Sequence, residues 1–139
     1  MTTIMPRPIF HLSFPVRDLA AAKAFYCDFL GASIGRDNDQ WTDILLFGHQ
    51  LTLHHRPTEV LPAELRGVRH FGAILPWQDW QDLGTSLRQK GIVFVRPPTI
   101  SDAGTMDEHG KMLFCDPSDN LIEIKAYKNA AFLGSARAG

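Results

Sequence analysis

The chain has 139 residues, 45% of them hydrophobic, and its 14 Lys and Arg against 15 Asp and Glu leave a net charge of −1. That is enough apolar material for one compact domain and too little for two ordinary ones, and the interspersed charges exclude the basic face of a nucleic-acid-binding protein. No apolar run approaches the roughly 18 residues of a membrane span, and Met1–Arg7 lacks the apolar core of a secretory signal. A cytoplasmic protein is therefore expected, with Cys27 and Cys115, which have no CxxC spacing, as reduced core thiols.

In chain order, Pro8 to Pro15 is short, aromatic and β-branched, and predicts a strand closed by proline. Asp18 is a good N-cap. Leu19, Ala22, Phe25, Tyr26, Phe29 and Leu30 recur at three-to-four spacing before Gly31, so a helix of about three turns follows. Ala32 to Arg36 predicts a short strand and Asp37-Asn38-Asp39 a turn. Trp41 to Phe47 and Gln50 to Arg56 predict two strands joined at Gly48-His49, with His49 on the hairpin surface. Pro57 to Gly67, with two prolines and no sustained periodicity, predicts a linker.

The pattern then repeats. Val68 to Leu75 predicts a strand, and Trp77 to Lys90 a helix with Asp79 as its cap, Trp77 and Trp80 as packing residues and Gly91 as its stop. Ile92 to Val95 predicts a strand ended by Pro97-Pro98, and Thr99 to Gly110 a polar loop that carries His109. Lys111 to Cys115 predicts a strand, Asp116 to Asn120 a turn, and Leu121 to Tyr127 the last strand. The tail, 128–139, is rich in alanine and glycine and is expected either to add a helical turn around Ala130 to Leu133 or to fray.

The order is βαβββ, linker, βαβββ. Histidines of the two leading strands, His11 and His70, lie 59 residues apart, and the helix-ending glycines, Gly31 and Gly91, lie 60 apart. Repeats this short must pack together to bury their faces. The expectation is one α+β domain over 1–139: module one about 8–57, linker 58–67, module two about 68–127, with the helices outside and the inner sheet faces forming a cup.

The chemistry centres on Glu123, an acid in mid-strand between Ile122 and Ile124. An unpaired buried charge is costly, so this carboxylate needs a partner. By strand parity, Ile9, His11 and Ser13 share one face, His70, Gly72 and Ile74 another, and Glu123 opposes its flanking isoleucines. Two imidazoles and one carboxylate on rigid strands fit the facial metal-binding arrangement that leaves coordination positions open.

These residues carry a resemblance. His11-Leu-Ser-Phe-Pro-Val-Arg-Asp-Leu-Ala, Phe25-Tyr26 and Leu30-Gly31 in the first half, with His70-Phe-Gly-Ala-Ile and Asp116-Pro-Ser-Asp-Asn-Leu-Ile-Glu123 in the second, resemble the vicinal oxygen chelate superfamily over about residues 8–127. That superfamily includes glyoxalase I, extradiol ring-cleavage dioxygenases, fosfomycin resistance proteins and bleomycin resistance proteins. The resemblance implies a divalent metal on His11, His70 and Glu123, a small-molecule substrate with vicinal oxygens, and a homodimer. Asp119 stands where the turn usually has glycine, and Asp tolerates a left-handed backbone. Thr52 stands where a glyoxalase I would place a further carboxylate ligand. That departure implies a three-ligand site, with Fe(II) or Mn(II) favoured over Zn or Ni, and an extradiol-dioxygenase-like oxidoreductase. The alternatives are a metal-dependent lyase, isomerase or thiol transferase, or a non-catalytic resistance-type binder. His54 and Tyr127, of one parity with Thr52 and Glu123 respectively, are the candidate acid/base and substrate hydrogen-bond donor.

Overall fold

The computed structural model describes residues 7–129, so the helical turn expected at Ala130 to Leu133 lies outside the described residues. The chain divides into two compact units, Met1–Val60 and Leu61–Gly139. Each carries a helix and a four-stranded mixed sheet, an α+β arrangement of two βαβββ modules.

In the first unit, β1 (His11–Val16) leads into α1 (Leu19–Leu30). Asp18 caps α1 by accepting the Ala21 amide at 3.0 Å, and Gly31 closes it at φ 74°, where a side chain would be strained. Three strands follow: β2 (Ser33–Asp37), β3 (Trp41–Leu46) and β4 (His49–His55). The sheet order is β1-β4-β3-β2, with β1 parallel to β4 and the other neighbours antiparallel. Strand parity sorts the two faces. Ile44, Leu46, Leu51, Leu53 and Val16 are buried on the face toward α1, which contributes Leu19, Ala22, Phe25, Tyr26 and Leu30. The hairpin turns on Phe47 and Gly48, both at positive φ, so His49 opens β4 and its Nδ1 accepts the Phe10 amide at 3.0 Å. His49 is a strand residue and not hairpin surface, because its ring supplies an acceptor to the chain entering β1.

The expected linker has local structure: a 3-10 turn (Pro57–Glu59) and the single-turn α2 (Ala63–Arg66), each started by a proline whose missing N–H is no loss there. The second unit then repeats the plan with β5 (Phe71–Ile74), α3 (Trp77–Gln89), β6 (Phe94–Ser101), β7 (His109–Cys115) and β8 (Leu121–Tyr127) in the order β5-β8-β7-β6. Trp80 is 2% exposed and donates its indole N–H to the Ile124 carbonyl at 2.9 Å. A Cβ on Gly110 would meet that ring at 2.5 Å, so β7 needs glycine there. Met112, Phe114, Ile122, Ile124 and Ala126 complete the core under α3.

Three further sequence expectations change. Pro76, with no side-chain bond, holds the cap position of α3 in place of Asp79. The strand expected to end before Pro97-Pro98 runs through them to Ser101. It is an edge strand with register shifts on either side of Arg96, so the missing proline amides cost no ladder bonds. With that partner extended, β7 starts at His109, which is a half-buried strand residue and not part of a loop. The turn at 116–120 is as expected: Asp119 sits at φ 64°, and Asp116 Oδ1 accepts the Ser118 and Asn120 amides.

Candidate functional site

Glu123 lies in the middle of β8, directly opposite Gly72 of β5. A Cβ on Gly72 would fall 1.6 Å from the Glu123 carbonyl oxygen, so only glycine lets these strands approach this closely. Two residues earlier, His70 immediately precedes β5, which begins at Phe71 and not at Val68 as expected. Its Nδ1 lies 2.6 Å from the Val68 carbonyl, which can only accept, so Nδ1 carries a hydrogen. Its Nε2 lies 3.3 Å from Glu123 Oε1, and the two side chains are 34% and 16% exposed. Nε2 therefore faces a carboxylate with either a proton or a lone pair. The lone-pair form places two donor atoms at a spacing that a cation relieves, and the backbone bond at Nδ1 is the usual way a ligating histidine is oriented.

His11 occupies the matching place in the first unit. It stands two residues before Ser13, which pairs with Thr52, as His70 stands two before Gly72, which pairs with Glu123. The registers thus align His11 with His70 and Thr52 with Glu123. His11 is exposed, with Nε2 3.2 Å from the Ser13 hydroxyl, leaving Nδ1 open.

Around Thr52 is a set that the sequence reading passed over. Its hydroxyl donates to Asp43 Oδ1 at 2.7 Å, and Arg36 Nε donates to Asp43 Oδ2 at 2.7 Å. The carboxylate is 4% exposed and the guanidinium side chain 76%, and the Arg36 guanidinium lies 4.9 Å from the Trp41 ring centre. Burial pushes the Asp43 carboxyl up, but the Thr52 hydroxyl, Arg36 and nearby His11 together hold it below the usual carboxylate range. The signal for Asp43 was present: an acid between Thr42 and Ile44 in a strand, by the criterion that singled out Glu123.

The other candidates are dispersed. His54 follows Thr52 by two on the same face, opposite Trp41, and is half-buried. Tyr127 ends β8 four residues beyond Glu123, about 13 Å along the strand. Its ring lies 6.0 Å from that of His109, and the Lys125 ammonium lies 5.5 Å from it. Asp102, Asp107 and His109 bring one ligand atom each within 4.8 Å of one another. The His109 Nδ1 is already 2.6 Å from the Asp107 carbonyl oxygen, so that nitrogen is a donor and not a ligand. Burial pushes the Cys115 thiol up, against the opposing pull of Arg66, which disfavours a thiolate nucleophile. Among the described residues no helix is long and apolar enough to cross a membrane.

Residues 9–124 match the Glyoxalase/Bleomycin resistance protein/Dioxygenase superfamily. A solved structure of a glyoxalase/bleomycin resistance protein/dioxygenase from Alicyclobacillus acidocaldarius is 30% identical, with a TM-score of 0.81 over 95% of this chain and 100% of that one. Virulence protein STM3117 from Salmonella typhimurium is 25% identical, with a TM-score of 0.63 over 90% of this chain and 99% of that one. A glutamate-to-glutamine mutant of the fosfomycin resistance protein FosX from Listeria monocytogenes, complexed with Mn(II) and 1S,2S-dihydroxypropylphosphonic acid, shares the fold at 16% identity. Its TM-score is 0.68 over 89% of this chain and 95% of that one. No curated protein matches the chain in sequence.

Proposed function

The chain belongs to the Glyoxalase/Bleomycin resistance protein/Dioxygenase superfamily, and from that premise we propose that it is a divalent-metal-dependent enzyme whose metal is held by His11, His70 and Glu123. The observation that carries this reading is the His70–Glu123 pair: Nδ1–H committed to a backbone carbonyl, and Nε2 set 3.3 Å from a carboxylate oxygen. In this reading the third donor is His11, which stands at the equivalent register position of the first unit. Two neutral imidazoles and one carboxylate suit Fe(II) or Mn(II), the latter being the ion bound by the FosX mutant. When bound, the metal supplies Lewis acidity and a template for two vicinal substrate oxygens.

The chain's own groups do the rest. The Val68 carbonyl fixes the tautomer of His70. Gly72 sets the distance between β8, which carries Glu123, and β5, which His70 immediately precedes. Thr52 is a poor ligand whose hydroxyl is bonded to Asp43, so in this reading coordination stays open for substrate. His54 moves a proton, and Tyr127 donates to the distal part of the substrate.

Within the superfamily we assign an extradiol-dioxygenase-like oxidation of a small molecule with vicinal oxygens. Cytoplasmic location and a homodimer belong to the same reading; the exposed Phe10, Ile34 and Leu45 offer apolar surface to a second copy. The test is elemental analysis of anaerobically purified protein, followed by oxygen uptake with a panel of catechols. One divalent ion per chain, lost in His11→Ala and Glu123→Gln, supports the metal site. Stoichiometric metal without oxygen uptake moves the chemistry to a lyase, isomerase or thiol transferase. Absence of metal overturns the enzyme reading in favour of a binder.

A further inference from the structure

Lys111 of β7 and Lys125 of β8 are direct cross-strand partners, half-buried side by side on the face that carries Glu123. Like charges placed opposite each other destabilise a sheet, so the pair calls for a reason. Neither ammonium makes a hydrogen bond or ion pair among the described residues; Lys125 only overlies the Tyr127 ring. The neighbouring rows do not relieve the repulsion. Thr99 flanks Lys111, but its hydroxyl donates to the Pro97 carbonyl at 2.7 Å.

The row on one side is Arg96–Leu113–Glu123, which adds a third cation and a mid-strand acid. The row on the other side of the lysines is Ser101–His109–Tyr127, at whose end Asp102 and Asp107 gather round His109. Glu108 accepts from the Gly104 amide and from Lys128. Among the described residues no hydrogen bond or ion pair joins Arg96, Lys111 or Lys125 to an acid.

We propose that the Lys111–Lys125 row is an oxyanion subsite, which binds a carboxylate, phosphate or phosphonate group of the substrate whose other end is held at His70 and Glu123. The proposal rests on the metal-site reading. The row lies one same-face step from Glu123, about 7 Å along β8, so the anionic group sits a few bonds from the oxygens that reach the metal. Two compact ammonium groups with rotating donors suit an oxyanion lodged between them, and that anion turns the repulsive pair into an attractive triad.

The test uses the full chain stripped of metal with EDTA, titrated calorimetrically with inorganic phosphate, methylphosphonate and acetate at constant ionic strength. Wild type binds at least one of them, and the preferred one identifies the oxyanion class. Lys111→Gln and Lys125→Gln each weaken that binding at least about tenfold. Both variants melt at or above wild type in chloride because the repulsion is gone, which also shows that they fold. Affinity unchanged in the double variant, or no binding of any probe by wild type, overturns the subsite. The metal reading fails separately. Wild type that takes up no divalent ion when metal is restored, yet binds an anion through the lysines, removes the metal and leaves the subsite. Glu123→Gln losing metal while phosphate binding ignores the lysines does the reverse.

Discussion

In the second unit the fourth-strand position beside the leading strand holds Glu123, opposite Gly72. In the first unit the same position, opposite Ser13, holds Thr52, and the acid stands one strand over at Asp43. The two acids share a setting and differ in their partners. Asp43 is closed off by a hydroxyl and a guanidinium within 2.7 Å on either oxygen, so its charge is already used. Glu123 meets a single imidazole nitrogen at 3.3 Å, and its cross-strand neighbour on β7 is Leu113, where the first unit has Asp43 opposite Thr52. One sheet plan therefore yields a satisfied structural carboxylate and an available one. The deciding factor is what stands across the strand, not the burial of the acid itself.

The sharpest break in this comparison is Gly72→Ala set against Ser13→Ala. The first forces a methyl onto the Glu123 carbonyl and should cost about 3 kcal/mol or more by denaturant unfolding. The second, at an exposed position, should stay within about 0.5 kcal/mol. Next is metal binding. Glu123→Gln should lower metal affinity at least about hundredfold, since groups that merely orient ligands are worth up to that much. Thr52→Val should leave the stoichiometry of metal unchanged. That same Thr52→Val should cost about 1.5–3 kcal/mol of stability, because it strips a hydrogen bond from an ionised buried group.

The smallest effect is in pH. The Asp43 carboxyl is held below its unfolded value of about 3.9. The stability it contributes is therefore present above that value and is lost as pH falls toward its folded value. Unfolding free energy measured from pH 6 to pH 2.5 should fall less steeply below about pH 4 in Asp43→Asn than in wild type. Equal slopes would remove Asp43 from the account of the first unit.

Much of this was legible in residues. Helix α1 could be read with its cap and stop because Asp18, the apolar spacing and Gly31 are local signals that agree. The alternation in Leu121–Tyr127 placed Glu123 on its face because a strand has only two faces. The 59-residue spacing of His11 and His70 matched the repeat that the registers display. Where the sequence misled, the deciding contacts were non-local. Pro97-Pro98 signal an end to a strand, yet β6 continues because it lies at an edge and shifts register around them. His109 read as loop until that strand gave β7 a longer partner.

By itself, then, the sequence determined the two βαβββ modules, their core faces and the three candidate ligands, since these follow from periodicity and repeat. Only the tertiary structure decided who stands beside whom: Asp43 across from Thr52, Arg36 on Asp43, Gly72 against Glu123, and Lys111 facing Lys125. Cross-strand register joins residues far apart in the chain, and no local pattern encodes it. A charge acquires its role from that register.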